Sequence, residues 1–137
     1  MKNLCTAFFL VAAMLFSANA SARMSQPLQS PQHASFAASG DRLPSLDKVR
    51  ESIVQAGAAR GWRVTAEQPG RLTLHNVIRG KHVVEVNVSY DRHGVDVSYV
   101  SSDNLDYEMR GEVAYIHPKY NEWIQKLLQG IVAKASY

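Results

Sequence analysis

Apolar residues change their period twice along this chain. Between residues 45 and 61, Leu46, Val49, Ile53 and Ala56 recur every three or four positions, with Lys48, Arg50, Glu51 and Gln55 on the other faces. That spacing predicts an amphipathic helix of about four turns. Ser45 suits its N-cap, Asp47 its first turn and Gly61 its C-terminal stop. From Trp62 the period becomes two. Trp62, Val64 and Ala66 alternate with Arg63, Thr65 and Glu67, and Leu72 and Leu74 with Arg71, Thr73 and His75. The clearest strand follows, with His82, Val84, Val86, Val88 and Tyr90 against Val83, Glu85, Asn87 and Ser89. Val95, Val97 and Tyr99 then alternate with Asp96 and Ser98. Pro69-Gly70, Arg79-Gly80-Lys81 and Asp91-Arg92-His93-Gly94 are turn sequences, and connections this short imply antiparallel neighbours.

Residues 101 to 116 follow neither period and read as a long connection of undefined structure. The helical period returns after His117-Pro118, where proline occupies the first helical position. Tyr120, Trp123, Ile124, Leu127, Leu128 and Ile131 form its apolar stripe, and Gly130 weakens its last turns. The expected fold is therefore α+β: a four-strand antiparallel meander, α-β-β-β-β-α in order, with both helices on its apolar face. One small domain over residues 45–137 accounts for the pattern.

The first 44 residues obey neither period. Lys2 precedes an uncharged thirteen-residue run from Leu4 to Phe16, and small residues at Ser17 to Ala22 supply Ala-x-Ala sites ending at Ala20 or Ala22. This is the layout of a cleaved export signal over residues 1–22. The run is shorter than the roughly 20 apolar residues of a membrane span. Residues 23–44 are rich in Gln, Ser and Pro and read as a flexible tether contributing nothing to the fold. The expected address is periplasmic or secreted. Cys5, the single cysteine, falls inside the signal and too early for a lipidation site, so no disulfide and no lipid anchor are expected. Loss of Lys2 takes the fifteen basic residues to fourteen against twelve acidic ones, a net charge of +2. That balance, with alternating signs, does not point to nucleic acid.

Several blocks carry a resemblance. They are Arg60-Gly61-Trp62, Pro69-Gly70, His82-Val83-Val84-Glu85-Val86, Ser102-Asp103-Asn104-Leu105-Asp106-Tyr107 and Ile116-His117-Pro118-Lys119-Tyr120-Asn121-Glu122-Trp123-Ile124. Residues 46 to 134 thereby resemble a family of small exported bacterial proteins, many of them lipoproteins or domains of unknown function. The resemblance implies a compact cell-envelope domain and supplies no activity. The lipidated N-terminal cysteine common in that family has no counterpart here.

Candidate chemistry is sparse. His33, His75, His82, His93 and His117 are spread over a tether, two strands, a turn and a helix cap, without the spacing of a zinc site. Asp103, Asp106, Glu108 and Glu112 lack the ligand spacing and glycine of a calcium loop. No metal or cofactor is expected. No Gly-x-Ser-x-Gly elbow accompanies the available serines, and no glycine-rich loop cradles phosphate. Glu67 and Glu85 share the polar sheet face as a conceivable acid and base, yet cross-strand pairing with Arg63, Arg71 or His75 accounts for them more simply. That polar face also carries Thr65, Thr73, Asn87, Asp96 and Ser98. Its binding candidates are Arg63, Arg71, His75, Glu85 and Asn87, facing a protein, peptide or glycan of the envelope. Asn104, Tyr107, Tyr120, Asn121 and Trp123 read as the lining of a groove between the long connection and the second helix or, more simply, Asn121 and the tyrosine hydroxyls read as partners for backbone groups of an irregular loop. The expected function is a non-catalytic binding module; the alternative is a small hydrolase or a hydrolase inhibitor.

Overall fold

A computed structural model describes residues 25–37 and 42–136. The expected export signal lies outside the described residues. The chain is α+β, with two helices and two antiparallel sheets of five and three strands.

Helix α1 (Leu46–Ala58) begins where the sequence predicts, with Ser45 Oγ accepting the Lys48 N–H at 3.1 Å. Its end is fixed by Gly61, at φ 85°, a backbone region that glycine enters without strain. The Gly61 N–H donates to Ala58 and the Trp62 N–H to Gly57. These two bonds make a Schellman stop, which turns the chain and buries Trp62 against Gly57. Helix α2 (Pro118–Ala135) starts at Pro118, with the His117 side chain accepting the Lys119 N–H.

Upstream of α1 lie β1 (Gln26–Pro27) and β2 (Gln32–Ser35). Downstream come β3 (Arg63–Gln68), β4 (Arg71–Ile78), β5 (His82–Tyr90), β6 (Gly94–Asp103), β7 (Glu108–Arg110) and β8 (Val113–Ile116). The large sheet has the order β2-β6-β5-β4-β3, so four consecutive strands lie side by side and β2 joins the outer edge of β6. The small sheet has the order β1-β8-β7. The expected four-strand sheet is thus corrected to five strands, with a second sheet beside it.

Over residues 25–37 the tether reading is also corrected. Phe36 is buried, Leu28 packs on the core, and the Phe36 N–H donates to His93 O. Asn121 of α2 explains why so polar a segment is held. Its Oδ1 accepts the Gln29 N–H, its Nδ2 donates to Pro27 O, and its main-chain carbonyl accepts from Gln32 Nε2. Ser30 Oγ accepts the Tyr99 N–H. Backbone groups pinned by one buried amide do not need large apolar side chains.

One core serves all layers. Leu72, Leu74, Val84, Val86, Val88, Val95 and Val97 point from the large sheet toward Val49, Ile53 and Ala56 of α1 and Tyr120, Ile124, Leu127 and Ile131 of α2. Leu105 and Ile116 join the same cluster from the stretch that follows neither period. That stretch contains the β7–β8 hairpin, turned at Gly111-Glu112, with Gly111 at φ 64°. Tyr107 stacks on Tyr99 at 4.8 Å between centroids, and Tyr120 meets Tyr99 edge-on at 5.6 Å.

Candidate functional site

The five predicted binding residues sit on the face of the large sheet opposite the core. Cross-strand register places Arg63 beside His75 and His75 beside Glu85, making one row across β3, β4 and β5. Asn87 stands in the next row opposite Thr73, whose hydroxyl donates to Asn87 Oδ1 at 2.8 Å. Arg71 begins a third row, opposite Ser89, which continues through Asp96 to His33. Among the described residues, no side-chain hydrogen bond or ion pair engages Arg63, His75 or Glu85. Such a row offers a cation, an imidazole and a carboxylate to a ligand without first breaking an internal contact.

Glu67 leaves this face. A bulge at Thr65 interrupts the alternation of β3, so that Val64 lies opposite Leu74 and Glu67 opposite Leu72. An extra residue reverses every side chain beyond it. Ala66 therefore joins the polar face, and Glu67 turns toward α1, where Arg50 grips it through Nε and, at 2.8 Å, through Nη2. That hydrogen bond holds the Glu67 carboxyl below its ordinary value. Glu67 and Glu85 do not form an acid–base pair. A second bulge, at Val100 in β6, places Ser102 on the core side, within 2.7 Å of the Tyr99 hydroxyl.

The ordering of β2 brings together three groups that the sequence leaves far apart. His33 Nδ1 lies 2.9 Å from Asp96 Oδ1, and His33 Nε2 lies 3.0 Å from Ser35 Oγ. With its proton on Nδ1, the imidazole donates to Asp96 and accepts from the Ser35 hydroxyl. That is the connectivity by which an imidazole activates a serine. The three border a shallow concavity of about 230 Å³ with Gly70, Ser89 and Asp91. Gly94 makes the approach possible, because a Cβ there would stand 2.7 Å from Ala34 O and 2.9 Å from the His33 ring. The nearby His93 and Gly94 N–H groups both donate to Asp91 Oδ1, and so are not turned toward a developing oxyanion. Periodicity could not have found the cluster, since its serine and histidine lie in a segment with no core pattern.

The remaining candidates separate. His82 and His117 approach to 6.2 Å between ring centroids, so these two are not isolated from each other as the sequence suggests. Among the described residues no group of three His, Cys, Asp or Glu side chains converges on a metal-sized site, and no helix is long and apolar enough to cross a membrane. Glu108 pairs with Arg110. Asn104 and Asp106 occupy left-handed backbone at φ 60° and 53°, and Asn104 O contacts His82 Nδ1 at 2.7 Å. Asn121 pairs with backbone groups as the simpler reading expects, those of Pro27 and Gln29. The tyrosine hydroxyls do not: that of Tyr107 donates to Met109 Sδ, and the buried hydroxyl of Tyr120 has no partner among the described residues. Trp123 has a different setting, beside Trp62, Ile78 and Asn76 in a pocket between α2 and the edge of the large sheet. Compared with family models, with curated proteins and with solved structures, the chain matches none.

Proposed function

We propose that the chain is a non-catalytic binding module of the bacterial cell envelope, exported by its N-terminal signal, and that its working surface is the polar face of the large sheet. The observation that carries this reading is the row Arg63–His75–Glu85: three ionisable side chains in register, on a face that no helix covers and with no side-chain partner among the described residues. Evenly spaced polar groups on a flat sheet suit an extended polar partner such as a peptide or glycan strand. The resemblance to small exported proteins supports the address. The test is capture from envelope extract by the immobilised domain. Replacing Arg63, His75 and Glu85 together by Ser should abolish capture of whatever the wild type retains, while the thermal midpoint stays put. Undiminished capture by that variant would reject the face.

A second reading, hydrolysis, is favoured by the Ser35–His33–Asp96 geometry alone. In it Ser35 Oγ attacks an ester carbonyl, His33 takes the hydroxyl proton and passes it to the leaving alcohol, and water then frees the acid. A fluorophosphonate probe separates the readings. Labelling at Ser35 that disappears in His33→Ala supports an enzyme, whereas an unlabelled Ser35 leaves the His33 contacts as fasteners of β2 onto β6.

A further inference from the structure

The edge of the large sheet is incomplete at one end. Strand β3 begins at Arg63, opposite His75, so β4 runs on through Asn76, Val77 and Ile78 without a β3 neighbour. Trp62 lies under this overhang, and α2 brings Trp123 and Lys126 across it. Arg60, from the stop of α1, closes the remaining side. The result is a pocket of about 160 Å³ whose floor is Trp62, Ile78 and Trp123. A cavity of about 150 Å³ accommodates benzene, so the space is that of a single ring.

Its charged groups have one sign. Arg60 and Lys126 line the rim, and among the described residues no carboxylate lines the pocket. Lys126 has Glu122 beside it, whose Oε1 stands 3.9 Å from Nζ while its other oxygen holds Lys119 at 3.3 Å. The Arg60 guanidinium has no hydrogen-bond or ion-pair partner among the described residues; it lies against Gly130 of α2, where a Cβ would come within 2.6 Å of Nη1. Gly130, a weak point by helix propensity, is therefore the residue that leaves room for this cation. Asn76, a buried lining residue, donates through Nδ2 to Arg60 O and fixes the stop of α1 to β4. His82 supports Trp123 from outside at 5.8 Å between centroids.

We propose that this pocket binds a small aromatic carboxylate, its ring against Trp62 and Trp123 and its carboxylate between Arg60 and Lys126. Indole faces and an aliphatic side chain favour a flat apolar ring. Two cations without a lining acid favour an anion, and a guanidinium can bind a carboxylate through two parallel hydrogen bonds. The pocket is separate from the Arg63–His75–Glu85 row, so the inference does not rest on that row being the working surface.

The two tryptophans of the chain, Trp62 and Trp123, both line this pocket, so intrinsic fluorescence reports on it directly. Phenylacetate titrated into the full chain should produce a saturable change. Neutral phenylacetamide and cationic phenethylamine should bind at least tenfold more weakly. The double variant Arg60→Gln/Lys126→Gln should lose at least tenfold in affinity with an unchanged melting midpoint. Gly130→Ala, which displaces the guanidinium but keeps its charge, should also weaken binding. Asn87→Asp on the open face should leave the titration intact, so failure of one site is distinguishable from failure of the other. Linear, non-saturating quenching, equal affinity for the three probes, or full affinity in the double variant would overturn the proposal.

Discussion

Asp91 shows how much a single side chain can set. Its Oδ1 accepts the N–H of His93 at 2.7 Å and of Gly94 at 3.0 Å, closing the β5–β6 turn. Those two donors, His93 first, hold the carboxyl below its ordinary value despite some opposing desolvation. A carboxyl with a depressed folded value stabilises the fold fully above the unfolded value, near 3.9 for Asp. In the window below it the unfolded chain binds a proton that the folded chain refuses, so stability falls as pH falls. Asp91→Asn keeps an acceptor for both N–H groups and removes the titration. Thermal midpoints measured between about pH 5 and pH 2 should therefore fall less steeply for Asp91→Asn than for the wild type. An unchanged slope would mean that other carboxylates, Glu67 on Arg50 among them, govern the acid limb. Single side chains also mark where the sequence stops being legible. The alternation Trp62, Val64, Ala66 predicts the face of Glu67 correctly only if β3 is regular, and a bulge leaves no trace in a two-residue period. The open row Arg63, His75, Glu85 was readable because all three lie before the bulges or on the unbulged strands.

Helices and hairpins with strong local signals were legible: Ser45 and Gly61 bound α1, Pro118 starts α2, and the valine run Val84, Val86, Val88 is the buried side of β5. Elements held by long-range polar contacts were not. Strand β2 reads Gln-His-Ala-Ser, and its attachment comes from Asn121, His33–Asp96 and the one buried aromatic beyond it, Phe36. The His33–Ser35–Asp96 cluster stayed hidden for the same reason, as did the Trp62–Trp123 pocket, whose members are drawn from β4, α2 and the connection between α1 and β3. Removing residues 1–37 should lower stability by at least about 2 kcal/mol in urea, from the burial of Phe36 alone, and should leave Asn121 with unmet hydrogen-bonding groups in the core. A midpoint equal to that of the full chain would restore the tether reading.

At the scale of the molecule, the two sheets and both helices share one apolar cluster, which includes Phe36 near the start of the described chain and Ala135 near its end. No second core exists among the described residues to support an independent unit. Unfolding should be a single transition, with the tryptophan signal from the pocket and the far-ultraviolet signal from the whole backbone superimposing. Divergent midpoints would show that the N-terminal strands detach first. The bulge in β3 bears on how copies of the molecule behave at high concentration. Strand β3 is an outer strand of the large sheet, with hydrogen-bonding groups that another extended chain could continue. Its irregular step at Thr65, together with the charges of Arg63 and Glu67, breaks the straight template that stacking requires. The residue that spoils the alternation of the sequence thus also protects the folded protein against fibrous self-assembly.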